Sequence, residues 1–209
     1  MRVLHSADKK GSRRRQGAVT RFVLFAALAV AGAVVALRLG YAPVAAPTVT
    51  ADFTALTDTG GAPAASRLDG RYTLVAYGYT SCPEACPATL TKLHVVLTAL
   101  KSDVPDLVPV FVTLDPEHDT PDVLAAYVQH FDPRIVGLTG SRAALEASAA
   151  RLSALPQDPS NARTPDGGPN HAVRLYLLGP DHALLHTYEL GDATSLIAND
   201  LRRRVAPTG

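Results

Sequence analysis

Charge of one sign, aromatic residues and cysteine are all scarce in this chain. Its 209 residues carry 20 Lys and Arg against 19 Asp and Glu, for a formal net charge of +1. A body so balanced lacks the basic excess that nucleic-acid binding draws on. Aromatics make up 6% and do not alternate with basic clusters, which removes the stacking surface a single strand would need. No internal repeat is present, and neither a Ser-His-Asp pattern, a P-loop nor a dinucleotide fingerprint appears. Cysteine occurs twice, at Cys82 and Cys86. Haem attachment fails on their spacing, because three residues separate them and Pro87 rather than histidine follows. What remains, 47% apolar and 19% charged residues, is ordinary globular composition.

The chain is organised around Tyr79-Thr80-Ser81-Cys82-Pro83-Glu84-Ala85-Cys86-Pro87. An apolar run, Tyr72 to Tyr77, leads in, and a helix-forming run, Ala88 to Leu100, leads out. That pattern reads as strand, turn and helix N-terminus. A helix N-terminus stabilises anions, so it is expected to favour thiolate, the form that binds metal and attacks disulfides. A structural disulfide is the plainer alternative, since cysteines four apart at a helix start lie roughly 6 Å apart at Cα. Such a bridge closes a very short loop and restricts the unfolded chain little. A functional dithiol is the better reading.

Arg2, Lys9, Lys10, Arg13, Arg14, Arg15 and Arg21 make the start basic, and Phe22 to Leu37 is uncharged and apolar. Those residues would span roughly 24 Å as a helix, against about 30 Å of bilayer core. Arg21 and Arg38 can snorkel, and Leu39 to Val44 extends the apolar character. We read residues 1–20 as a basic cytoplasmic tail, 21–40 as a transmembrane anchor and 41–50 as a linker. The globular domain, 51–209, then lies on the extracytoplasmic side. A cleaved signal peptide is the alternative, with small residues near Ala42 to Ala46 for cleavage. Both readings put the cysteines in an oxidising compartment.

Within the body, Thr48 to Thr57 suggests an edge strand and Ser66 to Gly70 a turn. Tyr72 to Tyr77 and Leu107 to Leu114 are nearly continuous apolar runs, as in parallel strands buried on both faces. Leu90, Leu93, Leu97 and Leu100 recur at helical spacing between them, so a βαβ unit is the natural reading. Its second strand ends in Asp115-Pro116-Glu117-His118-Asp119-Thr120-Pro121, at the sheet edge where the cysteine turn also lies. Thr120 and Pro121 start a helix through Phe131; Ile135 to Leu138 is a strand; Ser141 caps a helix to about Leu155. Pro156 to Pro169 is a loop rich in proline and glycine that leads to His171. Val173 to Leu178 and Ala183 to Tyr188 form a hairpin, and Ala193 to Arg204 a last helix. With a dithiol after the first strand of the unit, this order predicts an α/β, thioredoxin-like fold with an N-terminal transmembrane helix.

Three segments then make the likeness specific: Gly78 to Pro87, Val112 to Pro121 and Asn170 to Asp181. In that order and spacing the chain resembles the Sco/SenC family of copper-handling, membrane-anchored thioredoxin-fold proteins. The resemblance implies a copper site made of Cys82, Cys86 and His171, with Asp115 near it as an orienting or partner-recognising residue. Soft thiolates suit Cu(I), and an added imidazole lets the site accept Cu(II). Ser81 stands where many relatives have histidine, and Asn170 where aspartate is common. His5, His94, His118, His130, His182 and His186 read as surface or satisfied histidines, and Asp115, Glu117 and Asp119 fit turn and capping roles as well as functional ones.

Two functions in different classes follow. The first, which the resemblance implies, is a copper metallochaperone that delivers copper to the dinuclear copper centre of cytochrome c oxidase. Its partners would be that subunit, other copper chaperones and thiol reductants. The second is a thiol–disulfide oxidoreductase, with Cys82 and Cys86 as the redox-active pair, that keeps the cysteines of the same oxidase subunit or of other extracytoplasmic proteins reduced. A peroxide-handling relative is a third. His171 separates the first two, because a chaperone needs its imidazole and thiol exchange does not.

Overall fold

The computed structural model describes residues 24–32, 35, 48–154 and 169–205. The chain divides into two units, residues 1–46 and 47–209. In the first, residues 24–32 and 35 are helical, and Leu24, Phe25, Leu28, Val30 and Val35 are exposed. Among the described residues no helix is long and apolar enough to cross a membrane. The expected anchor over 21–40 is thus met only by this helical, apolar piece. Its other residues, the tail 1–20, the linker residues 41–47 and the loop residues 156–168 lie outside the described residues.

In the second unit the long apolar runs become strands. The described strands are β1 (Leu56–Asp58), β2 (Tyr72–Gly78), β3 (Leu107–Thr113), β4 (Val136–Gly140), β5 (Arg174–Leu178) and β6 (Leu184–Glu189). They form one sheet in the order β1-β4-β3-β2-β5-β6. β2, β3 and β4 are parallel neighbours, with Tyr72 opposite Leu107 and Gly78 opposite Thr113. β5 and β6 form the expected hairpin, and β5 pairs antiparallel with β2. The helices are α1 (Ala65–Leu68), α2 (Ala85–Leu100), α3 (Pro121–Phe131), α4 (Arg142–Arg151) and α5 (Thr194–Val205).

Every residue of β3 is buried, which explains its unbroken apolar sequence. Leu74, Ala76 and Phe111 face one layer, where Leu90, Leu93, Leu97 and Leu100 of α2 meet Leu124 of α3 and Leu201 of α5. Val75, Tyr77, Val110 and Val112 face the other, against Leu68, Leu138, Leu145 and Tyr176. Each buried leucine contributes about 1.5–3 kcal/mol, so these two layers fix the sheet edge that carries the cysteines.

Helix starts follow their caps. Thr120 Oγ1 accepts from Val123 N at 3.4 Å, ahead of Pro121, and Ser141 Oγ accepts from Ala144 N at 3.3 Å. Two expectations need correction. Ser66 to Gly70 is not simply a turn: α1 occupies Ala65–Leu68, buries Leu68, and hands over to Gly70 at φ +75°. The edge strand expected over Thr48 to Thr57 contracts to β1, antiparallel to β4, plus one bridge from Thr50 to Ala183. The arginines ending α5 do more than meet the helix C-terminus. Arg202 reaches Asp103 and the Ala99 carbonyl of α2, while Arg203 and Arg204 hold Asp200.

A cavity of about 670 Å³ opens at the edge where β3 and β4 begin, lined by Leu97, Lys101, Arg134 and Ile135 among others. It lies away from the cysteine edge, and two of its cations are taken up: Arg67 by Asp58, and Arg134 by Asp132.

Candidate metal centre

β2 ends at Gly78, and the chain turns through Tyr79, Thr80 and Ser81 into Cys82. α2 begins at Ala85, before the expected Ala88, so Cys86 sits in its first turn. The Cys82 N–H donates to the Tyr79 carbonyl at 3.3 Å, and the Cys86 N–H points at Cys82 Sγ at 3.4 Å. Both cysteines are buried free thiols. Gly78 makes room for them. A Cβ there would lie 2.5 Å from Cys86 Sγ and 2.9 Å from two ring carbons of Phe111. Only a residue without Cβ lets the sulfur settle against the strand.

Topology delivers His171. Because β5 is antiparallel to β2, the chain entering β5 passes the C-terminal end of β2. His171 Nε2 lies 3.7 Å from Cys86 Sγ, across 85 residues of sequence. Nδ1 lies 3.1 Å from the Pro169 carbonyl. A carbonyl only accepts, which assigns the proton to Nδ1 and leaves the Nε2 lone pair facing the sulfur. The ring also stands edge-on to Tyr79, with centroids 5.9 Å apart. Burial lowers the His171 pKa, against an opposing pull from the Pro169 carbonyl, so the ring is neutral at pH 7.

Cys86 departs from expectation. Burial pushes its thiol far above the ordinary range, a backbone hydrogen bond from Tyr79 opposes this, and Cys82 and Asp119 add to the rise. At this depth desolvation outweighs the helix N-terminus that was expected to favour thiolate. Among the described residues no three of His, Cys, Asp and Glu stand together ready to close on one metal ion. Of the residues expected at the site, Cys86 and His171 are the two whose sulfur and ring nitrogen meet directly, at 3.7 Å.

Asp115 lies on the same edge, buried, but makes no hydrogen bond or ion pair to Cys82, Cys86 or His171 among the described residues. It faces His118 Nδ1 at 2.8 Å and Arg142 at 3.5 Å, and Arg142 also grips Glu117. His118 is exposed as expected, yet tied to Asp115. His94 is half-exposed and paired with Asp132 at 2.9 Å. Two neighbours of the site had no role from sequence: Gly78, which entered only as the first residue of a motif, and Tyr127. Asp119 fitted turn and capping roles as well as functional ones, and its place in a loop on the cysteine edge pointed to the second. Tyr127 is packed against Phe111, with a buried hydroxyl that finds no partner among the described residues; no sequence signal marked it.

The SCO1/SenC family matches residues 42–206. The mitochondrial SCO2 homolog of Mus musculus is 36% identical over 162 residues, which are 74% of this chain and 62% of that protein. The chain spans about three-fifths of the length of the curated relatives it matches. Arabidopsis thaliana ScoI, solved with copper bound, is similar at TM-score 0.65 and 27% identity, over 74% of this chain and 96% of that one. Bradyrhizobium japonicum ScoI, also with copper bound, is similar at 0.62 and 29%, over 74% and 98%. The expected α/β, thioredoxin-like domain is therefore the one the chain forms, and by sequence and fold the chain belongs to the SCO1/SenC family.

Proposed function

We propose that the protein is a copper metallochaperone that holds the ion through Cys82, Cys86 and His171 and delivers it to the dinuclear copper centre of cytochrome c oxidase. The observation that carries this is the 3.7 Å approach of Cys86 Sγ and His171 Nε2. A soft metal about 2.3 Å from sulfur and about 2.0 Å from imidazole nitrogen, the distances zinc takes, separates the two donors by about 3.7 Å at a trigonal angle. The donors suit copper: thiolate sulfur for Cu(I), imidazole for tolerance of Cu(II). Two relatives, at 27% and 29% identity, are known with copper bound.

Cys82 supplies the third bond by turning its sulfur away from the Cys86 N–H. Three protein donors leave an open position through which a partner's ligand takes over the ion. Asp115, with exposed His118 beside it, serves partner recognition rather than ligation. The apolar run from Phe22 to Leu37 behind its basic tail anchors the domain on the extracytoplasmic face of the membrane.

A second reading is favoured by the Cys86 N–H directed at Cys82 Sγ, which suits Cys82 as the attacking sulfur. Cys82 would attack a partner disulfide and form a mixed disulfide. Cys86 would then displace the partner as dithiol, leaving Cys82–Cys86 oxidised by two electrons. His171→Ala separates the readings. Cu(I) affinity, measured by competition with a chromophoric chelator, falls about tenfold or more, while reduction of a model disulfide is largely retained. Equal loss of both activities would remove the division of roles.

A further inference from the structure

Asp119 is fully buried, and its carboxylate joins no ion pair among the described residues. Thr80 N–H reaches its two oxygens at 3.2 and 3.0 Å, and Thr80 Oγ1 lies 2.5 Å from one of them. Thr113 Oγ1 lies 2.5 Å from the other. The Thr113 oxygen already accepts the Asp115 N–H at 3.0 Å, so its own hydrogen goes to Asp119. Every donor therefore points into the carboxylate, whose two oxygens accept all of them.

The consequence is mechanical. Thr113 ends β3; Thr80 lies two residues before Cys82 and 39 before Asp119. The turn that carries Cys82 is also held by the Cys82 N–H on the Tyr79 carbonyl, by a backbone hydrogen bond from Tyr79 to Cys86, by the Cys86 N–H on Cys82 Sγ, and by Gly78 O, which accepts from Leu114 N at 2.7 Å. A buried carboxylate without a cation is costly to keep, and closing a loop does not demand one. Its negative charge also opposes a thiolate nearby, so its contribution to the site is position rather than charge.

The geometry points to Asp119 as the residue that positions Cys82: by clamping Thr80 to the end of β3, it sets the reach of the Cys82 sulfur toward Cys86 and His171. The inference rests on the dithiol reading above and adds to it a positioning group outside the donor set.

The test uses the full chain, reduced anaerobically, as Asp119→Asn, Thr80→Val and the double variant. Three quantities are read: Cu(I) affinity by chelator competition, the Cys82–Cys86 dithiol–disulfide equilibrium against glutathione without metal, and the urea midpoint. Each single variant should weaken Cu(I) binding by about 10–100-fold and move the disulfide equilibrium about threefold or more toward the dithiol. The double variant should be little worse than the more damaged single one, because both cut the same clamp. A lowered urea midpoint with Cu(I) affinity and disulfide equilibrium unchanged would overturn the inference and leave Asp119 a purely structural carboxylate. Thr80→Val removes one hydroxyl and keeps the side chain's shape, so it decides the matter if Asp119→Asn does not fold. If the unaltered chain failed to bind Cu(I), the metallochaperone reading would fall, and the metal-free disulfide equilibrium would still decide the role of Asp119.

Discussion

Gly78→Ala tests the packing that seats the buried sulfur. The new Cβ would stand 2.5 Å from Cys86 Sγ and 2.9 Å from Phe111 Cε2 and Cζ. Ordinary contact needs about 3.5–4 Å, so the sulfur or the strand has to move by about 1 Å. Gly78 is not in the left-handed region, and alanine suits an extended strand, so the backbone adds no strain and the penalty is steric. Overpacking of this kind costs about 1–3 kcal/mol, which lowers the melting temperature of a chain this size by about 2–12 °C. The same displacement spoils the Cys86–His171 approach, so Cu(I) affinity should fall together with stability. Pairing it with Cys86→Ala isolates the sulfur: the double variant recovers part of the penalty, and the Phe111 contact retains the rest. Urea unfolding and chelator competition measure both effects. A Gly78→Ala variant as stable as the parent, with undiminished copper affinity, would refute the reasoning.

Other perturbations probe the frame. Leu93→Ala, in the fully buried stripe of α2, should cost about 2–5 kcal/mol by denaturant unfolding. Asp132 is held well below the usual carboxylate range, first by Arg134, with His94 assisting and burial opposing. The stability it contributes is present above the unfolded carboxylate value near 3.9 and is lost as pH falls through the depressed folded value. Asp132→Asn should therefore lower stability by about 1–3 kcal/mol at pH 7 and converge on the parent in strong acid, read from urea midpoints across pH.

How far the sequence reaches is plain from particular residues. β2, β3 and the α2 stripe are legible because burial on both faces writes unbroken apolar runs and a helical period. Thr120-Pro121 marks the start of α3 because capping is local chemistry. α2 begins earlier than its apolar spacing suggests because Pro87 falls in the first turn, where the missing N–H has no partner to lose. α1 escapes notice because one turn is too short to show a period. The likeness of three motifs named His171 as a companion of the cysteines, and the structure places its Nε2 3.7 Å from Cys86 Sγ. The clamp from Asp119 to Thr80 and the space at Gly78 are tertiary contacts between distant segments, and nothing in local spacing encodes them. The raised Cys86 thiol is the same lesson in electrostatics: a helix N-terminus is visible in sequence, while the depth of burial that overrides it is not.

Under the proposed copper role that raised thiol has a measurable consequence, because an ion bound at Cys86 has to displace its proton. Burial favours the protonated form, so across neutral pH the free site holds the thiol and the loaded site the thiolate. Each proton released on binding raises the apparent affinity about tenfold per pH unit. His171 works the other way. Its pKa is lowered by burial, so it is already neutral at pH 7 and adds no slope above it. The apparent Cu(I) affinity of the reduced chain should then climb from pH 7 to pH 9 by about tenfold per unit or more, once the chelator's own protonation is subtracted. Cys86→Ser should bind more weakly and with a shallower slope, while His171→Ala should bind more weakly with the slope unchanged. A flat profile for the parent chain would mean that Cys86 gives up no proton to the metal, and Cys86 would then not be the sulfur that holds it.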